Sequence, residues 1–316
     1  MQMHEGKEAP KSNGKRMTLG AVTRGKIAKP QRVVLYGVEG CGKTTWAAGA
    51  PSPIFLCSET GTEHVDVARF PVPQSWRDVI EALDALRDQH DFRTLVIDTL
   101  DWLEPVVWAQ TCATKENGKK RAEHIEDYGF AKGYIYALDV WRQLLARLDA
   151  LREQRGMNVI LIAHSQVKTF QSPDTEDYAR FELKLHQKAA SLVKEWADSV
   201  LFAEHETLTH EQNNRTKGIA TGERVIRTTR TAAYDAKNRA GLPATLPLSW
   251  EAFQSALDGA TPEGHRQRIE TLLAGVDDEL RTRVTTAVTA AGEDKTKLAR
   301  IEAQLASMVA KKENER

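Results

Sequence analysis

The chain has 316 residues, with 44 Lys and Arg against 44 Asp and Glu, so its formal net charge of zero excludes a globally basic nucleic-acid binder. Any contact with a polyanion has to come from local patches. Cys41, Cys57 and Cys112 show no metal-like pairing and are too few for a disulfide framework, which suits a reducing cytoplasm, and no apolar run approaches the roughly 18 residues of a membrane span, so no membrane partner is expected.

Residues 1–30 read as a flexible basic leader, with Lys7, Lys11, Lys15, Arg16, Arg24, Lys26 and Lys29 among few large apolar residues. From Arg32 onward, short apolar runs alternate with helical patterns, the rhythm of a parallel sheet covered by helices. Val33–Tyr36 predicts the first strand. Directly after it, Gly37-Val38-Glu39-Gly40-Cys41-Gly42-Lys43-Thr44-Thr45 reads as a complete phosphate-binding loop. A triphosphate demands many donors and little side-chain bulk. Glycines let the backbone curl so that its N–H groups face the phosphate, Lys43 can reach the β- and γ-phosphates, and the Thr44 hydroxyl can ligate Mg²⁺. The helix that Trp46-Ala47-Ala48 begins adds its positive N-terminal end.

The second strand is expected at Pro53–Cys57, with Glu59 just past its carboxyl end, where active sites of open α/β sheets lie. A carboxylate there can polarise an attacking water; the neighbouring Glu63 and Asp66 leave a plain loop acid as the alternative. Ser75 predicts the N-cap of a helix burying Val79, Ile80, Leu83 and Leu86. The third strand, Thr94–Asp98, ends in an acid after an unbroken apolar run, and in phosphate-loop enzymes that carboxylate holds the Mg²⁺ shell opposite the loop hydroxyl. Thr44 and Asp98 are therefore the metal candidates. Thr114–Arg121, with Lys115, Lys119, Lys120 and Arg121, reads as a mobile basic segment and a candidate contact for single-stranded nucleic acid, or as an ordinary solvated loop.

A helix over Gly133–Arg155 places Leu138, Trp141, Leu145 and Leu148 on one face. The fourth strand, Asn158–Ala163, is followed by His164. If this strand lies between the phosphate-loop strand and the Asp98 strand, a polar residue at its end can sense the γ-phosphate, and Gln166 competes for that role. Gln166 to His186 reads as a loop in which Lys168, Arg180 and Lys184 interleave with Phe170, Tyr178 and Phe181, a mixture suited to single-stranded nucleic acid. Asp174, Glu176, Asp177 and Glu182 oppose that charge, which leaves an ordinary solvated loop as the alternative. Ser199–Ala203 predicts a fifth strand and Arg224–Ala236 a later strand pair. Lys237-Asn238-Arg239 then offers two cations that can reach a phosphate in a neighbouring subunit, or form a surface charge cluster. Beyond Trp250, the sets Ile269/Leu272/Leu273, Leu280/Val284/Val288 and Leu298/Ile301/Leu305/Met308 predict helices, so residues 256–316 read as a small C-terminal helical segment.

In this order, Gly37–Thr44, Glu59, Asp98, His164 and Lys237–Arg239 resemble the RecA-type ATPase core, and more closely its shortened phage version, the Sak-type single-strand annealing ATPases. Phe55-Leu56-Cys57-Ser58-Glu59-Thr60-Gly61-Thr62, Ile125 to Tyr134, and Tyr234-Asp235-Ala236-Lys237-Asn238-Arg239-Ala240-Gly241-Leu242-Pro243 carry the similarity, over residues 31–255. The resemblance implies an α/β fold, a RecA-like P-loop NTPase core with a mainly parallel sheet. It also implies ATP and Mg²⁺ as cofactors, Glu59 as catalytic carboxylate, and DNA-facing loops after the third and fourth strands. Lys43, His164, Lys237 and Arg239 join the catalytic set, the last two completing a neighbour's site in a ring or filament. Expected partners are single-stranded DNA, further copies of the chain and a single-strand binding protein, in the cytoplasm of a bacterial host if the chain is phage-encoded. Residues 1–30 show no counterpart of RecA's N-terminal helix-strand module, so ATP-dependent annealing or recombination is expected rather than filament-driven strand exchange. A helicase-like or loader motor, a small-molecule kinase using the same loop, and a module that ATP merely locks in one conformation are the alternatives.

Overall fold

In the computed structural model, which describes residues 22, 29–58, 62–118, 120–171, 176–212, 215–259, 262–274 and 276–314, the apolar runs become strands of one large sheet. The chain runs β1 (Arg32–Gly37), α1 (Lys43–Ala48), β2 (Pro53–Cys57), β3 (Ala68–Arg69), α2 (Trp76–Ala85), β4 (Thr94–Asp98) and α3 (Leu100–Thr114). It continues through the short pair β5 (Glu116–Asn117) and β6 (Lys120–Arg121), a 3-10 turn at Ile125–Tyr128, α4 (Lys132–Arg155), β7 (Asn158–Phe170), β8 (Tyr178–Leu183) and α5 (Gln187–Trp196). Then follow β9 (Ser199–Gln212), β10 (Arg215–Arg227), β11 (Lys237–Asn238), β12 (Thr245–Pro247), α6 (Trp250–Gly259), α7 (Pro262–Leu273), α8 (Asp278–Ala291) and α9 (Lys295–Asn314).

The sheet order is β12-β10-β9-β1-β7-β4-β2-β3. From β9 to β3 every neighbour is parallel. Such strands are covered on both faces, which is why they read as unbroken apolar runs. Alternation still divides them: Val34 and Tyr36 belong to the core under α2, α3, α4 and α5, whereas Val33 and Leu35 belong to the core under α1 and α6. The phosphate-loop strand β1 has β7 on one side and β9 on the other, and β7 separates it from the Asp98 strand β4. This is an α/β fold with a mainly parallel sheet, and it is the order that brings the end of the His164 strand between loop and acid.

Local signals fixed several elements. Ser75 Oγ accepts from Asp78 N at 3.3 Å while the Asp78 carboxylate accepts from Ser75 N at 2.9 Å, a capping box that starts α2. The α4 stripe buries Val140, Trp141, Leu144, Leu145, Leu148 and Leu151. At the amino ends of the strands, the Asp198 carboxylate accepts from Arg32 at 2.8 Å and from Arg152 at 3.3 Å, tying β1 and α4 to the start of β9.

Three expectations are corrected. The fourth strand does not stop before His164; β7 runs on to Phe170 and pairs antiparallel with β8, so the expected loop from Gln166 to His186 is a hairpin with Ser165 opposite Leu183 and Phe170 opposite Tyr178. The fifth strand likewise continues past Ala203 to Gln212 and pairs with β10. In place of a strand pair within Arg224–Ala236, that stretch supplies the end of β10 and a single bridge from Tyr234 to Phe181. Within Thr114–Arg121 the short strands β5 and β6 pair, and Lys115 is bound to Asp139 at 3.1 Å; Lys119 lies outside the described residues. Residues 1–30, apart from Val22, Lys29 and Pro30, also lie outside them.

Helix α6 spans residue 255 and packs on the core: the Trp250 and Phe253 rings lie 5.0 and 5.2 Å from that of Trp46. Fully burying a side chain such as Phe253 contributes about 2 kcal/mol. Helices α7, α8 and α9 close a separate small core around Ile269, Ala291, Leu298 and Leu305.

Candidate functional site

The loop between β1 and α1 is shaped by its glycines for different reasons. At Gly37 a Cβ would stand 2.0 Å from the Ala203 carbonyl oxygen, so the neighbouring strand β9 forbids any side chain there. Gly40 and Gly42 take φ of 72° and 101°, the left-handed region that curls the chain. A Cβ at Gly40 would meet nothing within 4 Å, so the outer curve of the loop is open. Lys43 is only 5% exposed, and its ammonium donates to Gly37 O at 3.1 Å and to Val38 O at 2.8 Å, across the loop it follows. Glu39 and Thr45 are exposed, whereas Cys41 is buried in the core, where burial pushes its thiol up, so it offers the site backbone alone.

Thr44 and Asp98 meet. The Thr44 hydroxyl donates to Asp98 Oδ2 at 2.7 Å, joining the first turn of α1 to the end of β4. Among the described residues no three His, Cys, Asp or Glu side chains form a metal cage, so an ion at this pair would complete its shell with phosphate oxygens and water. Glu59 lies outside the described residues. Its neighbour Ser58 is stapled to the same place: its hydroxyl donates to Thr99 O at 2.6 Å and accepts from Thr99 N at 3.0 Å.

His164 stands directly opposite Gly37 in the β1–β7 register. Asp101, in the first turn of α3, accepts from His164 N at 2.9 Å and meets His164 Nδ1 at 2.8 Å. Burial opposes ionisation of Asp101, yet the two hydrogen bonds from His164 prevail and hold its carboxyl below the usual range. Gln166 is differently employed: its amide donates to Leu183 O at 2.8 Å and to Leu185 O at 3.3 Å, bracing the hairpin.

Beside this corner, Trp102, Glu104, Tyr134, Lys168, Lys184 and His186 line a cleft of about 510 Å³. Both Glu104 oxygens accept from His186 N at 3.1 Å, and burial, reinforced by the charge of Asp101, pushes its carboxyl up to about 7. The His186 ring stacks on Tyr134 at 4.0 Å, and burial and Lys168 push its pKa down. Lys168 and Lys184 thus share one surface, but Arg180 does not. It is 2% exposed, 3.2 Å from Asp235 and over the Phe170 ring at 5.1 Å, so its assignment to DNA is corrected: the charge is spent inside the protein.

The basic pair is also divided. Lys237 Nζ donates to Lys194 O, Glu195 O and Ala197 O at 2.8, 2.9 and 2.6 Å, closing the carboxyl end of α5. The expectation of a free finger is corrected for Lys237, whose donors are committed within its own subunit. Arg239 is 57% exposed and 3.9 Å from Asp198. Both lie at the start of β9, where Lys237 faces Val200, while the loop adjoins Ala203 farther along the same strand.

Asp101 and Glu104 were not foreseen. A signal existed for Glu104, an acid in the buried stripe Leu100, Leu103, Glu104, Val107 of α3. None existed for Asp101, whose partner is 63 residues away.

Among solved structures, the crystal structure of the RadB recombinase aligns with a TM-score of 0.34 and 13% identity, over 63% of this chain and 80% of that one. A likeness that slight carries no weight for function. No curated protein matches the chain. A family model described as an AAA domain, AAA_24, matches residues 29–240, a span that contains the phosphate loop, Asp98, His164 and the Lys237–Arg239 segment. The chain belongs to this AAA domain family.

Proposed function

We propose that the protein is an ATPase that binds single-stranded DNA and promotes its annealing or recombination, of the Sak type carried by phages and prophages. The observation that carries the reading is the Thr44–Asp98 contact at 2.7 Å beneath a glycine-curled loop with a buried lysine. Those residues fit a nucleotide with a divalent ion. Thr44 and Asp98 would hold Mg²⁺, the loop backbone from Gly37 to Thr45 would cradle the phosphates, and Lys43 would meet the β- and γ-phosphates. The ion supplies neutralisation of phosphate charge when bound. Glu59 is the proposed general base.

His164, opposite Gly37 and held by Asp101, is the proposed γ-phosphate sensor. The same strand continues into the β7–β8 hairpin, so a shift at His164 has a short covalent path to Lys168. Lys168 and Lys184 supply cations to a single strand at the aromatic cleft, and Arg239, exposed beside the start of β9, is the contact to a neighbouring subunit. A single-strand binding protein is a further partner of this reading.

Neutralising Lys168 and Lys184 together tests the DNA face. Binding of a labelled single strand should weaken and its salt dependence should flatten, with a slope reduced by roughly 1.4 for two lost phosphate contacts. ATP affinity should stay unchanged. Equal binding and equal slope in the double variant would remove the hairpin from the DNA surface.

A further inference from the structure

The β9–β10 hairpin brings to the phosphate loop a cation that no sequence pattern marks. Arg224 stands on β10 opposite His205, two residues beyond the Ala203 that packs on Gly37. The β9–β10 register shifts between Ala220 and Arg224, an irregularity of the kind that re-aims a side chain. Its guanidinium then lies over the glycine that precedes Lys43: a Cβ on Gly42 would be 2.8 Å from Arg224 Nη1 and 3.6 Å from Leu248 Cδ2. The backbone is pinned as well, since Leu248 N donates to Arg224 O at 2.9 Å.

Its neighbour on the strand shows the contrast. Arg227 is bound to Glu204 at 2.8 Å and lies 3.7 Å from Glu206. Arg224 is exposed, and among the described residues no carboxylate forms an ion pair with it. A cation resting on a phosphate-loop glycine without an acid beside it is placed for an anion. A guanidinium suits that task, because its planar fork matches two phosphate oxygens at once.

We propose that Arg224 contacts the phosphate chain of the bound nucleotide from within the same subunit, as a second cation beside Lys43. The proposal rests on the nucleotide site described above. Lys43 closes the loop from inside, and Arg224 approaches over Gly42, so the two flank one strand of the loop.

Equilibrium binding of fluorescent ATP and ADP analogues to the unaltered protein, Lys43→Ala, Arg224→Ala and Arg224→Lys tests it, with unlabelled adenosine as competitor. Arg224→Ala should weaken both nucleotides by on the order of tenfold, the scale of a charge-assisted hydrogen bond, while adenosine competes equally well before and after the change. Arg224→Lys should recover part of the loss, since it keeps the charge and loses the fork. In the unaltered protein, ATP should also shield Arg224 from an arginine-selective dicarbonyl reagent read by mass spectrometry, a result that does not depend on any variant folding. Unchanged nucleotide affinity in Arg224→Ala, or equal labelling of Arg224 with and without ATP, would overturn the contact. A matching loss of adenosine binding would also overturn it, because the contact would then be to the nucleoside. Absence of nucleotide binding by the unaltered protein would overturn the nucleotide site and this contact with it.

Discussion

At the scale of the residue, burial has its largest chemical consequence at Glu104. Its ordinary value is 4.5 and burial raises it to about 7, so between those values the folded chain holds a proton that the unfolded chain has released. Stability should therefore fall as pH rises from about 4.5 to 7 and level off above. Glu104→Gln keeps an acceptor for His186 N without the charge. It should gain stability relative to the unaltered protein on going from pH 5 to pH 8, by on the order of 3 kcal/mol. Urea unfolding at the two pH values measures this; an identical pH dependence in both proteins would contradict it. Glu104 stands out in the sequence as an acid within an apolar helical stripe. The burial of Arg180 does not, because the Asp235 that neutralises it stands 55 residues away and meets it only through the fold.

Helix and strand identity followed from periodicity, while strand length did not. Within the covered sheet, β7 is buried on both faces and reads as an apolar run; past His164 it leaves that cover and becomes His-Ser-Gln-Val-Lys-Thr-Phe, which looks like a loop until β8 is known to pair with it. The same change occurs in β9 at Glu204-His205-Glu206. Lys237 belongs to this scale too, since the element it serves, α5, ends some 40 residues earlier in sequence. Three carbonyls at a helix end lose a cationic partner in Lys237→Ala, so the variant should be destabilised by about 1–2 kcal/mol in thermal or urea unfolding. Arg239→Ala, at an exposed side chain, should change stability little. The reverse ranking would contradict the cap.

At the scale of the molecule, alternating apolar runs and helices announced a parallel sheet, and the sheet order then placed His164 between loop and acid. What the sequence did not announce was the reach of later segments back to the loop, by Trp250 of α6 onto Trp46 and by Arg224 onto Gly42. Assembly can be tested by mixing. Arg239→Ala keeps its phosphate loop and Lys43→Ala keeps its exposed arginine, so a mixed oligomer contains some interfaces with both parts intact. Part of the ATP turnover should return on mixing, with co-assembly verified by light scattering; co-assembly without regained turnover would leave Arg239 as surface charge. The most direct measurement is ATP hydrolysis by the unaltered protein and by Lys43→Ala, each with and without single-stranded DNA. The account predicts turnover that rises with the strand and is lost in Lys43→Ala. Turnover that persists in that variant, or that ignores the DNA, would contradict it.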